Sequence, residues 1–250
     1  MSGHGERRWS GRNIAPMAPD PELTELRQVR FYRPDGATDI LLVRHGESAA
    51  VHPDVPLPLM EGQADPDLHP DGRDQAEAVA RRLGDQAIAA IYVSTLRRTT
   101  QTAMPLATSL GLTPIVEPDL REVHLGAWEG GLYRTRVAEG DPLLAELLVQ
   151  QRWDVIPDAE AAGAFSARVG AALARVAAAH PDRMVVVFTH GGVIAEALAQ
   201  VSGSAGLAFF PADNGSISHI VVGPAQRVVR RYNDTSHLSS HFGGAPEGPI

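Results

Sequence analysis

The sequence predicts an α/β fold, a three-layer α/β/α sandwich around a mixed, mostly parallel sheet. Three observations carry this. Apolar runs of strand length alternate with longer segments of helical period. The runs Asp39-Ile-Leu-Leu-Val43 and Met184-Val-Val-Val-Phe188 are nearly unbroken, as expected of strands covered on both faces. Two strand-like segments then follow each other across Gly223-Pro224, which adds an antiparallel pair at the edge.

In chain order, residues 1–37 read as a flexible N-terminal extension with Gly, Pro and scattered charge, and helical spacing only over Pro21 to Arg30. Asp39 to Val43 is the first strand. Beyond a loop rich in proline (53, 56, 58 and 66), Asp71 to Leu83 puts Ala76, Val79, Ala80 and Leu83 on one helical face after a Pro-Asp-Gly start. Ala87 to Val93 is strand-like, and Arg97 to Leu110 is helical until Gly111 closes it. Pro114 to Val116 suits a short strand. Leu143 to Gln151 and Ala159 to Ala179 are helical, the second ending at His180-Pro181. Met184 to Phe188 is a strand and Gly192 to Val201 the helix after it. Ser216 to Val222 and Gln226 to Tyr232 form the antiparallel pair, and 239–250 is a flexible tail rich in Gly, Pro and Ser. The folded domain is therefore expected over 38–238.

Composition narrows the chemistry. All 22 basic residues are arginine, and the chain has no lysine and no cysteine. A lysine Schiff base, a P-loop, a cysteine nucleophile and thiolate-ligated metals are excluded. The chain carries ten histidines. A net charge of −8 argues against nucleic acid or an anionic membrane as the partner. No apolar run approaches the ~18–20 residues of a membrane span, and Met1 to Asp20 lacks the apolar stretch of a signal peptide. The cytoplasm is the default location.

Two strands end alike, in Arg44-His45-Gly46-Glu47-Ser48 and in Thr189-His190-Gly191-Gly192. Each sets a histidine at the carboxyl end of a buried strand, where ligands of open α/β sheets bind. Glycine lets backbone approach a ligand, and the helix opening at Gly191 aims N–H groups at an anion. Two imidazoles and an arginine describe a pocket for a dianion such as a phosphoryl group. Ser94 to Ala103 again follows a strand and opens a helix, so Arg97 or Arg98 can point into the crevice with a bidentate fork. Leu120 to Gly130 offers Glu122 and Glu129, either of which could protonate a leaving group.

These blocks resemble those of the histidine phosphatase superfamily, with its phosphoglycerate mutase-like fold. Arg44-His45-Gly46-Glu47 is similar to the family's nucleophile motif, Ser94 to Ala103 to its arginine block, Leu120 to Gly130 to its glutamate block, and Val186 to Val193 to its second-histidine segment. Leu68 to Ala76 and Asn233 to Leu238 are also similar, so the likeness runs in order over roughly 38–238. The resemblance implies that His45 is the nucleophile, forming a phosphohistidine. Arg44, Arg98 and His190 would clamp the non-bridging oxygens, Arg98 being preferred over Arg97 because the second basic position is the family's clamp. Glu122 would protonate the leaving oxygen and then activate water. Ser48 holds the usual Ser/Thr position near the phosphate. No metal and no cofactor are required, and a homodimer is left open.

Other residues of these blocks take plainer roles. Arg97 is expected at the surface, Glu47 holds the loop or Arg44, Trp128 is a packing anchor, and His124 is either a loop or a pocket residue. The His237/His241 pair is taken as chance. Three departures bear on the substrate. Val51 stands where many members have a phosphate-holding asparagine, the loop over 49–66 is unusually rich in proline, and Pro157-Asp-Ala-Glu160-Ala161 keeps the glutamate of a Pro-Gly-Gly-Glu-Ser segment without its serine. Arg134 and Arg136 either meet a second anionic group or are plain helix arginines. With no further basic clamp, the expected activity is a phosphomonoesterase on a small metabolite. A phosphoglycerate-type mutase and a non-catalytic phosphate-binding module are the alternatives.

Overall fold

A computed structural model describes residues 28, 30–52 and 55–238. The chain divides into two compact units, Met1–Tyr32 and Arg33–Ile250, and the second contains all the described helices and strands. The expected helix near Pro21 lies almost wholly outside the described residues, as does the tail over 239–250. Of the expected extension, Arg33 to Ala37 belong to the second unit. There Arg33 Nη1 donates to Asp39 Oδ2 at 2.8 Å, and Gly36 N donates to Asp182 Oδ1 at 2.7 Å.

The elements run β1 (Thr38–Arg44), β2 (Leu59–Met60), β3 (Gln63–Ala64), α1 (Pro70–Leu83), β4 (Ile88–Val93), α2 (Arg97–Leu110), β5 (Ile115–Val116), α3 (Leu132–Glu139), α4 (Pro142–Gln150), α5 (Ala162–Ala179), β6 (Met184–Thr189), α6 (Gly191–Ser202), β7 (Ile217–Val222) and β8 (Arg227–Asp234). The main sheet has the order β5-β4-β6-β1-β7-β8. Its first four strands are parallel, and β7 and β8 supply the antiparallel edge.

Side-chain alternation along the central strands builds the layers. Ile40, Leu42, Val185 and Val187 face α5 and α6 through Val169, Leu173, Ile194 and Leu198. Leu41, Val43, Val186 and Phe188 face α1 and α2 through Val79, Leu83, Ala103 and Leu106. Both faces of β1 and β6 are thus covered, which is why those strands are apolar at successive positions.

Sequence and structure part company mainly between 49 and 162. The proline-rich loop contains the two-residue hairpin β2–β3. The stretch after the glutamate block forms α3, unforeseen because it carries almost no apolar stripe and none of its residues is buried. Helix α5 starts at Ala162 rather than Ala159, since Ala159 N is engaged in a turn with Ile156 O at 3.1 Å.

Candidate active site

Strands β4, β6 and β1 are neighbours and parallel, so their carboxyl ends deliver Ser94, His190 and His45 to one place. The His45 and His190 rings lie 5.2 Å apart between centroids, and both residues are buried. His45 Nδ1 is 2.7 Å from Gly46 O. A carbonyl only accepts, so Nδ1 carries the proton and Nε2 keeps the lone pair. Burial, then the charges of Arg98 and Arg44, hold the His45 pKa well below its ordinary value. A neutral imidazole with a free Nε2 is what a nucleophile requires. His190 is held low by burial and by Arg98 in the same way. It is fully buried, and its Nε2 lies 2.8 Å from Ser94 Oγ.

The glycines do different work from that expected of them. A Cβ on Gly46 would meet Gly72 O at 2.3 Å, and one on Gly72 would meet Glu47 O at 2.0 Å. Backbone is packed on backbone, seating the start of α1 against the nucleophile loop. Thr102 and Gln75 complete that seat, with Gly46 N donating to Thr102 Oγ1 at 2.9 Å and Glu47 N to Gln75 Oε1 at 2.8 Å. Gln75 and Thr102, both within the motif blocks, are therefore scaffolding.

The amino end of α6 likewise meets a carboxyl group of the protein itself. Gly192 N donates to Glu122 Oε2 at 3.1 Å and Val123 N to Oε1 at 3.0 Å. A Cβ on Gly192 would stand 2.5 Å from Glu122 Oε1, so glycine is needed for this approach. Burial raises the Glu122 pKa and outweighs the lowering effect of those two bonds and of Arg98 and Arg44. A carboxyl that keeps its proton longer than usual fits a general acid.

Behind Glu122 is a support that the sequence pattern does not reveal. Arg168 forks onto Glu160, with Nε to Oε1 and Nη2 to Oε2 both at 2.7 Å. The same guanidinium donates to the carbonyls of Asp119, Arg121 and Glu122. Gln63 Nε2 also donates to Glu122 O, at 2.9 Å. The retained Glu160 is visible in sequence, but nothing in the pattern links it to an arginine eight residues on.

Two adjoining cavities open on this cluster. One of about 130 Å³ includes His45, Arg98 and Glu129, and one of about 520 Å³ includes Trp153, Phe210, Asp213 and Asn214. Arg44, Ser48, Glu122, Tyr133 and Arg134 line both. A groove of about 620 Å³ between α1 and α2 contains none of these residues, so volume alone does not locate the site. Two of the six buried polar side-chain atoms left unpartnered among the described residues belong to the cluster. Arg44 Nε and His190 Nδ1 are both buried without a hydrogen-bond partner, which in a folded protein calls for a ligand or water.

The arginines separate by environment. Arg98 is buried, donates to Ala64 O at 2.8 Å and has its pKa pushed down to about 10 by burial. Arg97 turns outward to Asp65 and Asp67. Arg44 bonds Ala212 O through Nη1, which leaves Nε. Arg134 donates to Ser48 Oγ at 2.6 Å and to Ala49 O at 2.8 Å, at the junction of the two cavities. Arg136 instead pairs with Glu139 and Asp141. Glu129 accepts from Leu125 N and Ala64 N, which fixes the loop. Glu122 is held by two backbone N–H groups as well, and it is the rise of its pKa through burial that favours it as an acid.

Of the other candidates, Trp128 lines the smaller cavity and Glu47 the larger, while His124 and His237 line neither. Trp128 is buried in the core beside Tyr133, at 6.2 Å between centroids. His124 Nδ1 accepts from Gly126 N at 3.1 Å within its own loop. His237 reaches Gly215 O, and His241 lies outside the described residues. Among the described residues, Glu47, His69 and Asp71 bring ligand atoms within 4.8 Å of one another, but His69 Nδ1 already accepts from Asp71 N at 3.3 Å. No described helix is long and apolar enough to cross a membrane.

Comparison with known proteins agrees with this geometry. Residues 40–235 match the model of the histidine phosphatase superfamily (branch 1). A metal-independent phosphoserine phosphatase of Arabidopsis thaliana is 33% identical over 209 residues, covering 81% of this chain and 84% of its own. Phosphoglycerate mutase-like protein 4 of the same plant is 36% identical over 160 residues, covering 62% and 67%. The native structure of a mycobacterial glucosyl-3-phosphoglycerate phosphatase superposes with a TM-score of 0.66 at 27% identity, covering 80% of this chain and 100% of that one.

Proposed function

The chain belongs to the histidine phosphatase superfamily (branch 1), and from that premise we propose that it hydrolyses a small phosphorylated metabolite through a phosphohistidine at His45. It is a phosphoric monoester hydrolase. The single observation that carries the mechanism is the buried His45 imidazole, neutral and with its Nε2 lone pair free beside two arginines. Nε2 attacks phosphorus in line while the ester P–O bond breaks. Glu122 gives its proton to the departing oxygen, then takes one from the water that attacks the phosphohistidine. Arg44, Arg98 and His190 stabilise the charge on the non-bridging oxygens, and Ser48 adds a hydroxyl. Every group in this scheme belongs to the chain, so turnover is expected without a metal.

The leaving group belongs in the larger cavity, against Trp153 and Phe210. Arg134 stands where the two cavities meet and donates to Ala49 O, two residues before Val51, which takes the place of an asparagine. It supplies a cationic donor to the phosphoryl group or to an anionic substituent next to it. Phosphatase action is favoured over isomerisation because, among the described residues, no further basic clamp lines the larger cavity to retain a bisphosphate. The test is release of inorganic phosphate from p-nitrophenyl phosphate and from a panel of serine, glycerate and sugar phosphates, with EDTA present. Hydrolysis without a bisphosphate primer is expected. Isomerisation that depends on such a primer, with no net phosphate release, would overturn the reading.

A further inference from the structure

The structure assigns Ser94 as the residue that sets the tautomer of His190, so that His190 presents Nδ1–H as a donor to the phosphoryl group. The assignment to a phosphoryl partner rests on the function proposed above; the tautomer itself does not.

Ser94 is 1% exposed and follows β4, next to the strand that leads to His190. Three contacts converge on its Oγ. Leu96 N donates to it at 3.2 Å, Thr99 Oγ1 lies at 3.2 Å, and His190 Nε2 lies at 2.8 Å. The Thr99 hydroxyl has its own acceptor in Leu96 O at 2.8 Å. Ser94 has one proton to place, and the shortest of its contacts with a possible acceptor is His190 Nε2. Nε2 then accepts, and the single proton of the neutral ring lies on Nδ1. That atom is buried and has no partner in the protein. The reverse arrangement would send the Ser94 proton into the longer contact with Thr99. If the ligand is the phosphoryl group proposed above, that arrangement would also set a bare lone pair on Nδ1 against an anion, a point separate from the hydrogen-bond geometry. A donor there complements the phosphoryl oxygens, whereas an acceptor repels them.

The result is a relay of orientation: Leu96 N–H fixes Ser94, Ser94 fixes the ring, and the ring offers its remaining N–H. The ring stays neutral through burial and the neighbouring Arg98. Ser94 acts through His190 and is a positioning residue.

Two-bond proton–nitrogen spectra of the full-length protein labelled with 15N-histidine, assigned with His190→Gln, read the tautomer directly. The unliganded wild type is expected to show His190 as the neutral Nδ1–H form at pH 7. Finding Nε2–H or an imidazolium there overturns the assignment, whatever the outcome of labelling at His45. Ser94→Ala should shift His190 towards a mixture of tautomers and lower kcat at least about tenfold, with the fold checked by its melting transition. Ser94→Thr, which keeps the hydroxyl, should restore the wild-type spectrum and most of kcat. Wild-type kcat and an unchanged His190 spectrum in Ser94→Ala would also overturn the assignment.

Discussion

Glu122 and His45 have opposite requirements at the same pH, and burial satisfies both. A carboxyl taken from water holds its proton longer, and an imidazole taken from water sheds its proton sooner. In the roles proposed for them, burial thus favours a loaded acid and a free nucleophile together. Glu122→Gln should lower turnover of alkyl phosphates by roughly 10²–10⁴-fold, while p-nitrophenyl phosphate, whose leaving group needs no proton, is much less affected. Parallel steady-state assays on the two ester classes check this, and equal losses would point to another acid. The blocks that hold the two histidines, Arg44 and Glu122 were visible in the sequence because each is compact and local, and the fold brings these residues to one place. Arg134 could not be given a role, since only the fold brings α3 over Ser48.

At the scale of elements, the site is held by approaches that only glycine allows. Gly192→Ala sets a methyl group 2.5 Å from Glu122 Oε1 and displaces the carboxylate from the start of α6. A loss of roughly 10²-fold in kcat for alkyl phosphates is expected, as for a displacement of about 1 Å. The melting temperature should change little, so kinetics and thermal unfolding together separate this from a folding defect. The Arg168–Glu160 fork ties α5 to the glutamate loop, both side chains being about four-fifths buried. Arg168→Ala leaves Glu160 and three carbonyls short of a donor, and should cost roughly 2–4 kcal/mol of stability in chemical denaturation together with lower kcat. The strands and long helices were legible because two-sided burial leaves unbroken apolar runs and one-sided burial leaves a helical stripe. Helix α3 was not, because nothing on it is buried. The proline-rich loop hid β2–β3, a hairpin of two residues a side that is too short to show alternation.

For the whole molecule, the two buried histidines make a contribution to stability that depends on pH with a definite sign. His45 and His190 titrate well below their ordinary value in the folded chain and near about 6.5 when unfolded. Below that pH the unfolded chain binds protons that the folded chain refuses. That contribution is complete above pH of about 6.5 and is lost as pH falls towards the folded values. Chemical denaturation from pH 7.5 to 5 should show this fall, and His45→Asn should flatten it. The acidic chain, at net −8, makes a locally positive pocket necessary, and burial of Arg44 and Arg98 beside two neutral imidazoles provides it. The absence of lysine and cysteine pointed towards histidine chemistry, although it took the order of the motifs to show where. The most direct test of that chemistry is a rapid acid-free quench of the enzyme turning over a 32P-labelled phosphomonoester, followed by peptide mapping. An acid-labile, base-stable label on His45 is expected, absent from a His45→Ala variant that has lost nearly all activity. A label on another residue, or full turnover by His45→Ala, would contradict it.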